Sequence, residues 1–317
     1  MYLLPIAAAH LLPFITIPVY TRLLVPADFG FLALAMAYAS VVAGLTQLGL
    51  AVGFDREFFA RAKEESIGLL YASLVFVFAG VLVAAIGTWA FLDPISNVTL
   101  RSDGHGPLLL VTMVAVGTQA MRQYVLLFFR NRHEAGSFAR YSIIEAVLWA
   151  AFGLLFVLVM RTGVVGIPAG QAIGTSIVMV LMLNRVRGLG PARVNWRALG
   201  AALRMGMPAT PRVLVTVASQ QFDKYMIGLL GTPAAVGIYA VGQRFSYGVF
   251  TYMTALENAY VPRTMTMMFN DGDQGGVNVG RYLTPFAYFS VAVGMGVIVW
   301  AEEILWHLLR AAFQIFH

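Results

Sequence analysis

The sequence predicts an all-α, polytopic transmembrane helical bundle, and three observations predict it. Hydrophobic residues make up 59% of the 317 and charged residues only 11%, against about 25% charged in an average soluble domain. Mean hydropathy is +0.77, more apolar surface than one soluble core hides. Nine apolar stretches fill most of the chain, each near the roughly 20 residues that a helix needs to cross a hydrocarbon core of about 30 Å.

The spans read Leu3–Leu24, Phe29–Val52, Ile67–Leu92, Pro107–Phe129, Tyr141–Met160, Val164–Leu183, Met207–Leu230, Val236–Val261 and Tyr282–Trp300. The first is no signal peptide: it has no basic lead, its apolar run is too long, and Pro5, Pro13 and Pro18 interrupt it. Those prolines read as kinks whose freed backbone groups neighbouring helices satisfy. The second span leads into the charged run Asp55-Arg56-Glu57. Asp93–Gly106, the longest loop on its side, separates the third from the fourth. The fifth carries Glu145 one turn in, where Arg140 offers a local partner; the sixth carries Gln171 and Thr175 on one face.

Lys and Arg in the connections set orientation. One set of loops holds Arg56, Arg61, Lys63, Arg130, Arg132, Arg140, Arg185, Arg187, Arg193, Arg197, Arg204, Arg263 and Arg281, thirteen in all, against three (Arg22, Arg101 and Arg161) in the alternating set. The rich side is expected to be cytoplasmic, which starts the N-terminus inside and makes the protein a multi-pass one of the inner membrane. Much of the net charge of +6 thus sits in loops, and no basic, aromatic-interleaved soluble module suggests nucleic acid. The longest basic loop, Asn184–Gly206 with Pro191 and Trp196, reads as a linker with an amphipathic piece on the membrane surface. It divides the chain into a six-helix lobe (1–184), the linker (185–206) and a partial lobe of three helices (207–317). The second part echoes the first: Pro26, Gly30 and Arg56 recur as Pro233, Gly237 and Arg263, each offset by 207, at matching places in the topology.

Function is read from charge at membrane depth, which is costly and persists where it meets a partner or a wet cavity. Arg122, Arg212, Lys224 and Arg244 fall inside spans. In the seventh, Arg212, Thr216, Ser219 and Asp223 are spaced 4, 3 and 4 and share one helix face, after a start bent by Pro208 and Pro211. That stripe reads as a pathway lining or as a hydrogen-bonded seam between helices; a seam has no need of an arginine. Arg244, Tyr247, Thr251 and Asn258 share a face of the eighth span, with Glu257 off it; Thr118, Gln119 and Gln123 flank Arg122 in the fourth. Ser40, Gly44 and Gln47 share a face of the second span, as fits a hydrated cavity or close helix packing. His10 reads as a satisfied interior histidine, and the other histidines carry no metal spacing. There is no P-loop, HExxH or GxSxG, and the absence of cysteine excludes disulfides and thiolate metal sites.

The run Leu12-Pro13-Phe14-Ile15-Thr16-Ile17-Pro18-Val19-Tyr20-Thr21-Arg22-Leu23-Leu24-Val25-Pro26-Ala27-Asp28-Phe29-Gly30 resembles the opening of Wzx-type polysaccharide flippases, within the multidrug/oligosaccharidyl-lipid/polysaccharide exporter superfamily. Gln47-Leu48-Gly49-Leu50 leading to Asp55-Arg56-Glu57 resembles the end of that family's second helix. Phe222-Asp223-Lys224-Tyr225-Met226-Ile227-Gly228 and Val236-Gly237-Ile238-Tyr239 resemble its seventh and eighth. The resemblance implies a two-lobed, MATE-like architecture around a central cavity, alternating access, and a polyprenyl-diphosphate-linked oligosaccharide as substrate. Membrane lipids and the polysaccharide polymerase and assembly proteins are its implied partners.

On that reading Arg122, Arg212, Arg244 and Lys224 are the cavity cations. Thr216, Ser219, Asp223, Tyr247, Thr251, Asn258, Gln47 and Gln171 are the polar lining. No cofactor is expected; a proton or sodium gradient is the candidate driving force. The family has more helices than the nine read here, so the chain is expected to be a piece with an incomplete second lobe. Two alternatives stand beside this reading. A cation-coupled multidrug exporter of the same fold would want an acidic cavity, and a membrane glycan polymerase or acyltransferase would want a large outer loop.

Overall fold

The structure, a computed structural model, describes residues 16–61, 63–102, 104–190, 193–244, 246–247, 250, 253, 264, 267, 274–300 and 303. All elements among these residues are helical: α1 (Pro26–Gln47), α2 (Leu50–Phe59), α3 (Lys63–Ala90), α4 (Leu92–Thr99), α5 (Gly106–Asn131), α6 (Ala135–Leu154), α7 (Gly166–Arg187), α8 (Trp196–Gly206), α9 (Thr210–Leu230), α10 (residues 233–244) and α11 (Gly275–Val299). Of the first span only residues 16–20 are described as helix. A π-turn, Leu155–Val159, continues α6, and short 3-10 turns precede α7 and α9.

The second span differs from its reading as one helix to Val52. Helix α1 starts at Pro26, with the Asp28 carboxylate accepting from the Val25 N–H at 3.1 Å, and stops at Gln47. Leu48 (φ 47°) and Gly49 (φ 66°) are both left-handed, so the chain turns before α2 begins. Glycine adopts that conformation freely and leucine does so at about 1–2 kcal/mol. The turn lets α8 come close, since a Cβ on Gly49 would strike the Gly206 carbonyl.

Five described helices are long and apolar enough to cross a membrane: Pro26–Gln47, Glu65–Ala90, Gly136–Val159, Gly163–Arg187 and Gly276–Val299. Helices α5 (26 residues) and α9 (21 residues) are long enough too but more polar, so each needs an interior to receive its polar side. Helix α5 is the hub, packing on α1, α3 and α7, while α6 lies on α7 and α9 lies on α1.

The linker does contain an amphipathic helix, α8, begun by Asn195, whose side chain accepts from the Ala198 N–H at 3.0 Å. Its buried face, Ala198, Leu199, Ala202 and Gly206, packs on α2 and α3. Protein, then, receives that face, while Trp196 stays exposed.

Two apolar cores lie at opposite ends. One joins Leu50, Phe54, Tyr124, Phe128, Met182 and Leu199, from the first lobe and α8. The other joins Ile17, Phe29, Leu32, Leu109, Ile167 and Val236, so it crosses from the first lobe to α10. At this second end the repeat seen in the sequence becomes a contact. A Cβ on Gly30 would collide with the Pro233 carbonyl, and one on Gly237 would collide with the Pro26 carbonyl. The two Pro-x-x-x-Gly turns pack reciprocally, backbone on backbone, as two-fold-related pieces do. Arg101 Nη1 adds a bond to the Leu229 carbonyl at 2.9 Å. This is the closed end.

Candidate functional site between the lobes

Away from the closed end the lobes part around a cavity of about 430 Å3. Helix α1 contributes Gln47, α5 contributes Gln119, Arg122 and Gln123, and α9 contributes Gln220 and Gln221. The α5 residues are spaced 3 and 1, so they share a face; the α9 pair follows Val213 and Val217 down one side of its helix. The two helices too polar to rank with the five apolar spans thus supply most of the cavity's amides, beside Gln47 of α1.

Arg122 is not free. Its Nε lies 2.8 Å from Glu145 Oε1, with 18% and 6% of the two side chains exposed. The N–H is not aimed along that line and makes no regular hydrogen bond, so the contact is an ion pair by proximity. The partner of Glu145 is therefore Arg122 from the neighbouring helix; the local Arg140 makes no ion pair with it. Thr175 Oγ1 donates to Glu145 Oε1 at 3.0 Å, and Trp149 Nε1 donates to Thr175 Oγ1 at 2.9 Å. Two satisfied acceptors and a paired charge keep this wall electrically neutral.

Gln47 is partly engaged: its Nε2 donates to the Ala43 carbonyl at 3.2 Å and its Oε1 accepts from the Tyr124 hydroxyl at 3.1 Å. Gln221 Oε1 accepts from Lys224 Nζ at 2.8 Å, which ties the cavity to the next turn of α9. There Lys224 feels Arg244 of α10 and, after it, the neighbouring Asp223, while Arg244 feels Tyr20 of the first lobe. Neither Lys224 nor Arg244 has a carboxylate within ion-pair distance among the described residues. Asp223, the acid nearest to Lys224 in sequence, accepts from the Tyr239 hydroxyl at 2.7 Å. Two like charges held together at membrane depth are costly unless an anion joins them.

The other candidates are placed as follows. Arg212, Thr216, Ser219 and Asp223 do share one face of α9, but it is an exposed face, turned from the cavity; Thr216 Oγ1 bonds back to the Arg212 carbonyl at 2.9 Å. Tyr247 is 40% exposed. Gln171 lies off the cavity, with a buried Oε1 that has no hydrogen-bond partner among the described residues. Thr251 and Asn258, with His10 and Glu257, lie outside the described residues. Sequence reasoning passed over Gln220 and Gln221, although two adjacent amides in mid-span are themselves a polar signal. No cluster of metal-ligating side chains occurs among the described residues.

Residues 19–314 match the family model described as "Polysaccharide biosynthesis protein". A comparison with curated proteins finds no match. Among solved structures, the chain is similar to an inward-facing multidrug resistance MATE family transporter of the MOP superfamily, with a TM-score of 0.69 at 14% identity over 97% of this chain and 72% of that one. The MATE multidrug transporter DinF-BH gives a TM-score of 0.67 at 16% identity, covering 98% of this chain and 75% of its own. The Vibrio cholerae MATE transporter VcmN in its bent form gives 0.56 at 16%, covering 95% and 73%. At such identities the likeness establishes the fold. It is the multi-pass helical fold of those transporters.

Proposed function

The chain belongs to the polysaccharide biosynthesis protein family, and from that premise we propose that it is a flippase for a polyprenyl-diphosphate-linked oligosaccharide. It works in the inner membrane by alternating access between the lobes. The observation that carries this reading is the pair Lys224 and Arg244, neither within ion-pair distance of a carboxylate among the described residues, with Lys224 bonded to the cavity residue Gln221 at 2.8 Å and Arg244 near Tyr20 of the first lobe. A diphosphate supplies the missing negative charge, and arginine can grip it with two parallel hydrogen bonds. Arg122 is held by Glu145 and Arg212 stands on the far face of α9, so the grip falls to Lys224 and Arg244. In this reading the N-terminus and the cavity mouth are cytoplasmic, as the excess of basic residues in one set of loops supports, and the closed end faces outward. No cofactor enters this reading; a proton or sodium gradient drives the cycle. A drug exporter remains the second reading, favoured by the MATE likeness, but Lys224 and Arg244, neither in an ion pair among the described residues, repel cationic drugs.

The test is substitution at the chromosomal locus, reading surface polysaccharide and accumulated lipid-linked precursor. Arg244→Gln and Lys224→Gln should each cut export about tenfold or more with membrane abundance near normal, and Arg244→Lys should restore part of it. Full export by the Lys224→Gln/Arg244→Gln double variant would sink the proposal.

A further inference from the structure

We propose that the glutamine cavity is a separate subsite for the sugar portion of the substrate, selective for uncharged rings bearing hydroxyl and acetamido groups. This rests on the function proposed above and adds a second contact to it. The cavity is amide-rich: Gln47, Gln119, Gln123, Gln220 and Gln221 line it. Among the described residues, the amides of Gln119, Gln123 and Gln220 hydrogen-bond to no protein group. Each carries two donors and an acceptor with two lone pairs, and sugar hydroxyls need both kinds of partner. The one cation in the wall is neutralised by Glu145, so nothing there favours an anionic sugar or a cationic drug. Its volume of about 430 Å3 lies within the roughly 300–1,000 Å3 typical of small-molecule sites.

Position completes the argument. Gln221 accepts from Lys224 at 2.8 Å, so a diphosphate held at Lys224 and Arg244 delivers its first sugar to this cavity. The free amides come from both lobes, Gln119 and Gln123 from α5 and Gln220 from α9. A sugar bridging them ties the lobes together, and the tie must break when they part.

The experiment uses the full protein in nanodiscs and three probes: farnesyl diphosphate, farnesyl-diphospho-N-acetylglucosamine, and free di-N-acetylchitobiose. Gln119→Met and Gln220→Met keep side-chain length and remove the amide. Each should weaken the sugar-bearing lipid three- to tenfold, as for the loss of one or two hydrogen bonds, and leave farnesyl diphosphate unchanged. Arg244→Gln should weaken both lipids equally. Thermal unfolding controls for misfolding, and Gln119→Asn, which keeps the amide on a shorter stem, should fall between wild type and Gln119→Met. Unchanged affinity of both Met variants for the sugar-bearing lipid would overturn the subsite alone, leaving the flippase reading in place. Wild-type binding of free chitobiose as tight as that of the lipid-linked sugar would make this a soluble-sugar site and overturn the proposal. Failure of wild type to bind either lipid would overturn both.

Discussion

At the closed end, α1 and α10 meet backbone on backbone, Gly30 against Pro233 and Gly237 against Pro26, over an apolar core that crosses the lobe boundary. In the cavity half, α1 and α9 flank a space lined with amides, and the apolar core stays with the first lobe and α8. One end is apolar and tight, the other open and lined with amides. A chain that must release one lobe contact while making another can place the two kinds at opposite ends of shared helices, because packed surfaces switch between discrete arrangements and do not stretch. The difference turns on local chemistry: glycine and proline carbonyls where backbones touch, glutamine where water or ligand enters.

The sharpest way to break the comparison is to charge the cavity half. Glu145→Gln leaves Arg122 without its counter-charge in a site where only 18% of its side chain is exposed. Breaking a buried pair costs about 3–5 kcal/mol. Because Arg122 reaches cavity water, the expected loss lies near the lower bound, about 3 kcal/mol, read as thermal or denaturant unfolding in detergent. Arg122→Gln on top should restore much of it, giving a large coupling in the double-mutant cycle. Additive losses would mean that the pair is not the unit holding this wall neutral.

Much of this was legible in the sequence, for identifiable reasons. Helix positions follow from apolar length, and the Pro26/Pro233 and Gly30/Gly237 echo marked the two pieces that now touch. Gln47 and Arg122 were recognisable as cavity residues because polar groups inside a span need a polar neighbour. The Leu48-Gly49 break was hidden, since leucine in a left-handed conformation has no sequence signature and the α8 contact that the turn admits is tertiary. The Glu145 partner was hidden likewise: Arg140 is close in sequence, whereas Arg122 is close only through the packing of α5, α6 and α7. On α9 the regular spacing of Arg212, Thr216, Ser219 and Asp223 drew attention to one face. Periodicity shows that residues share a face; it does not say which way the face turns.

At the closed end the test is steric. Gly30→Ala drives a methyl group into the Pro233 carbonyl, and overpacking of this kind costs about 1–3 kcal/mol. At about 2 kcal/mol the closed arrangement loses roughly thirtyfold in population. The sequence contains no cysteine, so Leu34→Cys, beside Gly228 near the seam, gives a single reporter thiol. Gly30→Ala and Gly237→Ala should each raise its labelling by a membrane-impermeant maleimide, by similar factors, as reciprocal contacts require. A large effect from one glycine and none from the other would break the two-fold account of the seam.

A smaller effect sharpens the cavity side. Tyr124→Phe keeps the ring against Phe54, edge to face at 5.7 Å between centroids, and removes only the bond to Gln47 Oε1. One hydrogen bond is worth about 1 kcal/mol, so unfolding should shift by that much. Because Gln47 serves the wall in this contact, affinity for farnesyl-diphospho-N-acetylglucosamine should stay within about twofold of wild type. A loss as large as that of Gln119→Met would mean that held and free amides act as one set.

The smallest effect belongs to charge outside the cavity. Arg61, at the turn between α2 and α3, contacts Glu57 at 2.8 Å and Glu65 at 3.0 Å, one helical turn away on each side. The hydrogen bond that it donates to Glu57 is the main influence holding its guanidinium above the ordinary arginine value. A raised folded-state value contributes stability that is complete below the unfolded value and is lost only as pH rises through the folded one. For arginine both lie far above neutral pH, so the contribution should be flat from about pH 6 to 9. With 23% of the Arg61 side chain exposed and 52% of Glu65, solvent screens the pairs, and each is worth about 0.3–0.5 kcal/mol. Arg61→Gln should therefore cost less than about 1 kcal/mol, and the difference from wild type should shrink in 1 M salt, where the screening length falls to about 3 Å. The Glu145→Gln loss should change little in the same salt, since its charge faces protein on most sides. Equal salt sensitivity at the two sites would show that ions reach Arg122 as freely as Arg61, and that the cavity wall is no drier than the surface.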